Sequence, residues 1–322
     1  MRNISRIGVV CCLGLLGGQP AHASDQNYPS RPVRIVVPYG PGGIGDFTAR
    51  ALAKELTDSL KATIVVENKP GASGLVAMNA VKAAAPDGYT LVMTSNTTLP
   101  AARHLFKALA YDPMKDFVHV GMVGVFGSVA LVPKNSPFKT IPELVEFARK
   151  NPSKAFYGYT NASSQVPSEM LNARAGIRMQ GVGYKEAGQA STDLLSGQIP
   201  FMFLDTVAAA PILQGGRVIP LAVTQTQRLE KLPEVATMTD FYPGFEFSGF
   251  ISVSAPARTP PAIVDKLNAA VRAASASEAF RAAIESNGMV PKAFSVAELD
   301  EFLQSENRKW ETYAATARLV PQ

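Results

Sequence analysis

The chain has 322 residues, of which 47% are hydrophobic and 18% charged, with two cysteines and a formal charge of +5. This length suits one large domain or two ordinary ones, and the apolar content is ample for a buried core. The composition excludes an intrinsically disordered chain, which would be poor in apolar residues, and the cysteine count excludes a disulfide scaffold. The positive charge suggests an anionic partner.

The first 23 residues have the features of a secretory signal peptide. Two arginines precede a short apolar run over 7–16, and small residues at 21 and 23 allow cleavage after Ala23. A lipid anchor at Cys11 or Cys12 is the alternative, which is disfavoured because both cysteines come early and lack the usual preceding motif. Cleavage would remove 23 residues with their two arginines and leave 299 cysteine-free residues with a charge of +3. We therefore expect an exported protein of mild basicity.

The next segment alternates strand and helix signals. Strands are predicted over 33–38, 64–66 and 90–94. Helices are predicted over 47–60 and 74–85, the first with Asp46 as its N-cap and with apolar residues at helical spacing. Alternating strands and helices predict a parallel sheet with crossover helices.

A second α/β block follows a long extended stretch over 118–132. Its predicted strands cover 154–159, 179–184, 201–204 and 218–223. Its predicted helices cover 141–150, 167–175, 188–195 and 207–214. Another extended stretch over 245–253 leads to three closing helices, predicted over 261–274, 278–287 and 296–317.

Two extended stretches that connect two α/β units predict two lobes joined by a hinge. The closing helices have no predicted strands beside them, so we expect them to pack on the first lobe. The predicted organisation is lobe 1 over 24–123, lobe 2 over 124–249, and lobe 1 again over 250–322. A ligand would lie between the lobes, at the carboxyl ends of the strands.

The glycine-rich turn over 40–45 is open to three interpretations. Its spacing matches a dinucleotide-binding turn, and Glu67 lies where a ribose-binding acid would stand. Export from the cytoplasm and a proline at Pro41 disfavour that interpretation. The same kind of turn binds anions generally, because free backbone N–H groups and the helix dipole favour negative charge. In the third interpretation, the glycines only permit a tight turn.

Residues suited to catalysis or metal binding are scarce. The exported chain would have no cysteine and no nucleophile or zinc-protease motif, and only His104 and His119 would remain among its histidines. Both are interpreted as structural, since no partner is recognisable beside them. We predict no enzymatic activity, no metal and no cofactor. Scattered lysines and arginines argue against nucleic-acid binding.

Motifs along the whole exported chain point to one family. They are IVVPYGPGGIGDFTAR at 35–50, VVENKPGASG at 65–74, APDGYTL at 85–91, VGYKEAGQASTDLLSGQIPFMFLD at 182–205, LAVTQTQRLEKLPEVATM at 221–238 and YPGFE at 242–246. Together they resemble the Bug family, the solute receptors of tripartite tricarboxylate transporters. The resemblance implies a type II periplasmic-binding-protein fold with a ligand carboxylate held between two loops, largely by main-chain N–H groups and ordered waters.

The resemblance also implies which residues contact the ligand. The first loop corresponds to Gly42, Gly43, Ile44, Gly45 and Asp46. The second corresponds to residues 160–164, with Thr160, Asn161, Ser163 and Ser164 as contacts. From later strands of lobe 2, Tyr184 and Asp205 would face the cleft. The opposite wall would be formed by Thr94, Ser95 and Asn96.

Two positions depart from the family pattern. Gly45 stands where the family usually has Thr or Ser, so one hydroxyl is missing from the first loop. Ser168 and Glu169 stand near the usual His of the second loop, which leaves the register of that loop open by a residue or two. Asp205 has two possible roles, ligand contact and N-cap of the following helix.

These observations predict a monomeric exported receptor that closes around a small mono- or dicarboxylate and delivers it to membrane transporter subunits. Two alternatives stay open. A ligand sensor would pass its occupancy to a signalling partner, and an exported enzyme would use the same cleft for a reaction on a small acid.

Overall fold

Two β-sheets, of six and five strands, organise the part of the chain that the structure describes. The structure is a computed structural model that describes residues 27–317, 319 and 321. The expected signal peptide lies outside these residues. Among the described helices, none is long and apolar enough to cross a membrane.

The first sheet is mixed, with a parallel part formed by the amino-terminal strands. Its strands are β1 (Val33–Val37), β2 (Ile64–Asn68), β3 (Thr90–Ser95), β4 (Phe117–Phe126), β10 (Gly249–Pro256) and β11 (Met289–Pro291). Their order across the sheet is β11-β4-β10-β3-β1-β2. Strand β1 pairs in parallel with β2 and β3, as predicted, whereas β10 runs antiparallel to β3 and β4.

The second sheet is also mixed. Its strands are β5 (Ser128–Pro133), β6 (Phe156–Tyr159), β7 (Gln180–Gly183), β8 (Met202–Asp205) and β9 (Val218–Val223). Their order is β7-β6-β8-β5-β9, with β6 parallel to β7 and β8. The carboxyl ends of these three parallel strands therefore meet at one edge of the sheet.

Helices surround each sheet and bury one apolar face. Around the first sheet lie α1 (Ile44–Leu60), α2 (Leu75–Lys82), α3 (Ala102–Leu105), α9 (Pro261–Ala276) and α10 (Glu278–Glu285). Around the second lie α4 (Ile141–Lys150), α5 (Ala162–Ala175), α6 (Ala187–Ser196), α7 (Thr206–Gln214) and α8 (Met238–Phe241). The predicted apolar face of α1 is confirmed, since Ala49, Leu52 and Leu56 are fully buried. We call each sheet with its helices a lobe.

Two helices begin three or more residues earlier than predicted. Helix α1 begins at Ile44 with Gly43 as its N-cap, so the prediction that Asp46 caps it is wrong. Helix α5 begins at Ala162, five residues before the predicted start at Pro167. Pro167 has no N–H to donate to the carbonyl of Ser163, and the Ser128 hydroxyl donates to that carbonyl instead, at 2.8 Å. This distant partner explains why a proline is tolerated inside the helix.

The chain crosses between the sheets twice. Gly127 alone separates β4 from β5, and residues 224–248 connect β9 to β10. The two crossings touch, because a Cβ atom on Gly127 would lie 2.3 Å from Oε1 of Gln225. Residues 245–248, predicted as part of the second extended stretch, are not a strand, and Phe245 and Phe247 are buried in the core of the second lobe. The expected lobe boundaries at 123/124 and 249/250 stay predictions.

The closing segment differs from the prediction in two ways. It contains a strand, β11, which pairs with β4. Its last helix, α11 (Val296–Thr316), packs against both lobes. Leu299 and Leu303 are buried in the core around α2 and β4, whereas Trp310 is buried in the core of the second lobe and contacts Phe247. The expectation that the closing helices return to the first lobe therefore fails for the second half of α11.

Candidate functional site

A small cavity of about 50 Å³ lies between the lobes, where four helices begin. The first lobe contributes the start of α1, and the second contributes the residues before α5, α6 and α7. Its lining residues are Tyr39, Gly40, Pro41, Gly43, Ile44, Gly45, Thr160, Asn161, Lys185, Glu186, Ala187 and Asp205. We call it the interlobe cavity. At about 10–15 Å³ for each water position, it has room for a few waters or for one carboxylate group.

The start of α1 presents open backbone donors to this cavity. Its N-cap, Gly43, has no side chain, and no side-chain oxygen caps the helix. The first N–H groups of a helix have no partner within it, and the helix dipole places partial positive charge there. Gly43 and Ile44 line the cavity, so an anion at this position would meet both effects.

Asp46 stabilises the turn rather than capping the helix. Its carboxylate accepts a hydrogen bond from the Gly42 N–H at 3.1 Å and from the Arg50 guanidinium at 3.0 Å. Burial opposes ionisation of Asp46, but the hydrogen bonds from Arg50 and Gly42 outweigh it and hold the pKa below its ordinary value. Gly42 has a φ of +82°, which favours glycine in this turn. Neither Asp46 nor Gly42 is part of the cavity lining.

Gly45 is the position where the resemblance leads us to expect a hydroxyl. A Cβ atom there would lie 3.2 Å from the Tyr39 ring and 3.5 Å from Val37. The space of the missing side chain is therefore taken by Tyr39, whose hydroxyl pairs with the Ser95 hydroxyl at 2.8 Å. Tyr39 lines the cavity and Ser95 lies behind it.

The start of α5 differs from that of α1, because its amides already have partners. The Asn161 side chain accepts from the Ser163 N–H at 2.9 Å, and the Ser164 hydroxyl accepts from the Thr160 N–H at 2.9 Å. The Ala162 N–H donates across the lobes to the Thr97 hydroxyl at 3.2 Å. The predicted second loop thus adjoins the cavity through Thr160 and Asn161, but its own oxygens satisfy the amides that the resemblance assigns to the ligand.

Helix α6 supplies the second set of open donors, which the sequence analysis missed. Its N-cap is Glu186, and no side-chain oxygen caps the helix. Lys185, Glu186 and Ala187 line the cavity opposite Gly40, where an added Cβ atom would lie 3.6 Å from the Glu186 side chain. The signal was present in the sequence, because these residues follow β7, a parallel strand of the sheet, with only Tyr184 between. Lys185 brings a positive charge to this wall, and Glu186 brings a negative one.

Asp205 both caps a helix and lines the cavity. Its carboxylate accepts from the Ala208 N–H at 2.9 Å at the start of α7. Burial raises the pKa of Asp205 to about 6, although hydrogen bonds from backbone N–H groups act in the opposite direction. Of the two roles left open by the sequence, the cap is observed, and ligand contact stays a prediction.

Thr94 and Asn96 do not reach the cavity. The Thr94 hydroxyl pairs with the hydroxyls of Ser252 and Ser254 at 2.8 and 3.2 Å, inside the first sheet. The Asn96 side chain donates to the Ser248 carbonyl at 3.1 Å and accepts from the Phe250 N–H at 2.9 Å. Asn96 therefore anchors the second crossing between the lobes, and its predicted contact with the ligand stays a prediction.

Tyr184 and the two histidines also lie outside the cavity lining. The Tyr184 hydroxyl donates to the Asp193 carboxylate at 2.8 Å, which holds the ring against α6. His119 is buried and pairs through Nδ1 with the Ser254 hydroxyl at 3.0 Å, and burial lowers its pKa to about 4. No group of three or more potential metal-ligating side chains is found over 27–317.

Comparison with known proteins places the chain in a family. A family model described as the tripartite tricarboxylate transporter family receptor matches residues 48–317. The chain belongs to this family. Among curated receptors of the family, protein BugT of Bordetella pertussis is 30% identical over 313 residues, which cover 96% of each chain.

Solved structures similar to this chain have the same fold. A Rhodopseudomonas palustris protein solved with adipate matches with a TM-score of 0.88 and 29% identity, covering 92% of this chain and 100% of that one. MatC of the same organism, solved with bound malate, matches with a TM-score of 0.84 and 32% identity, covering 89% and 99%. The predicted family and two-lobe α/β fold are confirmed. The prediction that the chain is not an enzyme is confirmed as well, because the family consists of periplasmic solute receptors.

Proposed function

We propose that this receptor binds a small mono- or dicarboxylate in the interlobe cavity and delivers it to the membrane subunits of a tripartite tricarboxylate-type transporter. The observation that carries the proposal is the uncapped start of α1, which faces the uncapped start of α6 and Lys185 across the cavity. Adipate and malate in the two similar structures support a carboxylate as the ligand class.

The carboxylate head first meets the start of α1. Open N–H groups there donate to its oxygens, and the helix dipole favours its negative charge. Gly43 has a φ of −89°, and a Cβ atom added to it would have no heavy atom within 4 Å. Its missing side chain therefore leaves the approach to these donors clear.

Lobe movement then completes the site. The second lobe adds the α6 amides and the Lys185 ammonium, so the ligand is held by donors from both lobes. The interlobe cavity, at about 50 Å³, has room for the carboxylate head, and a longer ligand requires a wider separation of the lobes. Ligand binding thus shifts the equilibrium between open and closed lobe arrangements. The transporter subunits would recognise the closed arrangement. In this proposal the receptor acts as a periplasmic monomer after cleavage behind Ala23.

Gly43→Val tests the assignment of α1. The added isopropyl group meets no backbone strain, so the fold and melting temperature should persist, while calorimetric binding of adipate and malate should be lost. Gly215→Val is the matched control, because Gly215 also has an ordinary φ, −67°, and lies at the end of α7 outside the cavity lining. Unchanged affinity in Gly43→Val would refute the site. Delivery is tested separately by ligand uptake in cells that lack the receptor, which the wild type should restore and Gly43→Val should not.

A further inference from the structure

A second cavity, of about 730 Å³, lies at the junction of the lobes and shares no lining residue with the interlobe cavity. Its walls come from α7 and residues 225–232 of the second lobe and from the α10–β11 turn of the first. We call it the junction cavity. Asp205 and Thr206 are consecutive residues, yet Asp205 lines the interlobe cavity and Thr206 the junction cavity, so the start of α7 separates the two.

The size of the junction cavity suits a small organic molecule, since pockets for such ligands typically measure about 300–1,000 Å³. Its lining combines a group of apolar side chains with a larger number of polar ones. The apolar members of the lining are Val125, Val129, Ala210, Leu213, Leu229, Leu232, Met289 and Val290. An apolar body would bury its surface against these side chains.

The charges around the junction cavity do not favour a carboxylate. Both cations of the lining already donate to main-chain carbonyls, Arg228 to Pro233 at 2.9 Å and Lys231 to Ser286 at 2.7 Å. The lining also contains three carboxylates, Glu230, Glu246 and Glu285. An anion would therefore meet more negative than positive charge there. The interlobe cavity differs because two helix starts without a side-chain cap offer it backbone donors.

Two buried polar atoms at the junction cavity have no hydrogen-bond partner within the described residues. They are the Thr206 hydroxyl oxygen and Oε1 of Gln225, and both residues line the cavity. Thr206 is only 5% exposed, and a buried polar group without a partner costs about 1–3 kcal/mol. Gly288 leaves space for the Thr206 side chain, because a Cβ atom at position 288 would approach that side chain to 3.0 Å. The φ of +73° at Gly288 also favours glycine there. A hydroxyl or amide on a ligand could satisfy either atom after a small side-chain adjustment.

We propose that the junction cavity is a second ligand site, which binds an uncharged molecule with an apolar body and one hydroxyl or amide group. The two cavities then select opposite chemistry, a carboxylate in one and a neutral amphipathic molecule in the other. The site forms only where both lobes meet, since Thr206 belongs to the second lobe and Gly288 to the first.

The test compares two probes of nearly equal size and shape, the uncharged 4-phenylbutyramide and the anionic 4-phenylbutyrate, which differ only in the terminal group. Protein labelled at its methionine methyl groups is titrated with each and followed by NMR, with the Met289 signal assigned through Met289→Leu. The amide should shift the Met289 methyl saturably and show nuclear Overhauser contacts between its ring protons and that methyl. The acid should leave this methyl unchanged. The Met78 methyl, buried in the first lobe away from the cavity lining, is the internal reference.

Ala210→Trp fills the junction cavity and should abolish the Met289 shift, while the matched variant Ala262→Trp, on the exposed face of α9, should retain it. Absence of a saturable shift in the wild type would overturn the proposal. An equal shift with the acid would overturn the preference for an uncharged ligand, and an equal shift in Ala210→Trp would place the binding elsewhere. If Ala210→Trp does not fold, the Overhauser contacts to Met289 in the wild type decide by themselves, because their absence refutes the site.

Discussion

Replacing Asp205 by Asn should stabilise the ligand-free receptor at neutral pH. Asn and Asp cap helices about equally well, so the hydrogen bond from the Ala208 N–H can persist while the buried charge is removed. Burial raises the Asp205 pKa from 3.8 to about 6, which corresponds to about 3 kcal/mol at about 1.36 kcal/mol per pH unit.

The sign of the pH dependence follows from that shift. Because the folded pKa lies above the ordinary value, the folded protein holds this proton more tightly than the unfolded chain. The contribution of Asp205 is therefore most favourable below pH 3.8 and is lost as the pH rises through about 6. We expect Asp205→Asn to match the wild type near pH 4 and to exceed its free energy of unfolding by up to about 3 kcal/mol at pH 8.

The assay is urea unfolding of ligand-free protein at several pH values between 4 and 8, followed by circular dichroism. Asp58→Asn, on the exposed face of α1, is the matched control and should show no pH-dependent gain. Asp205→Ala removes the cap together with the charge, so it should lose about 1 kcal/mol relative to Asp205→Asn. If Asp205→Asn is less stable than the wild type by the same amount at every pH, burial does not dominate the energetics of this carboxylate.

Three further predictions concern binding and the hinge. Lys185→Gln should weaken adipate binding about fivefold in calorimetry, since an exposed charge pair contributes up to about 1 kcal/mol. The control Lys54→Gln should leave the affinity unchanged. Equal losses of affinity in both variants would mean that only the net charge of the protein matters. Carboxylate affinity should rise as the pH falls through about 6, because protonation of Asp205 removes a negative charge from the cavity. Asp205→Asn should remove this pH dependence of the affinity. The same pH dependence in the variant would contradict the role of Asp205. Asn96→Ala should lower stability by about 2 kcal/mol in urea unfolding, because the Phe250 N–H loses its acceptor; an unchanged midpoint would refute the anchoring role.

Local features of the fold were predictable because their causes are local. The apolar spacing along α1 and the alternating strand and helix signals need only neighbouring residues. The uncapped start of α1 could be predicted for the same reason, since a glycine-rich segment between a strand and a helix exposes amides wherever it occurs. These parts of the sequence analysis agree with the structure.

The parts that could not be predicted depend on distant partners. The start of α5 depends on Ser128, whose hydroxyl replaces the N–H that Pro167 lacks. Asn96 ends a strand and so resembles a cleft residue, but its hydrogen bonds go to Ser248 and Phe250, about 150 positions away. The cavity-facing side of Lys185 follows only from the packing of the two lobes.

The path of α11 has a mechanical consequence for the whole receptor. Leu299 and Leu303 fasten its first half beside β4, and Trp310 fastens its second half in the other lobe. Helix α11 is therefore attached to both lobes. Any rotation of one lobe relative to the other would have to bend this helix or move Trp310 past Phe247. A helix that contributes no residue to either cavity would thus limit how far the lobes of the proposed receptor open.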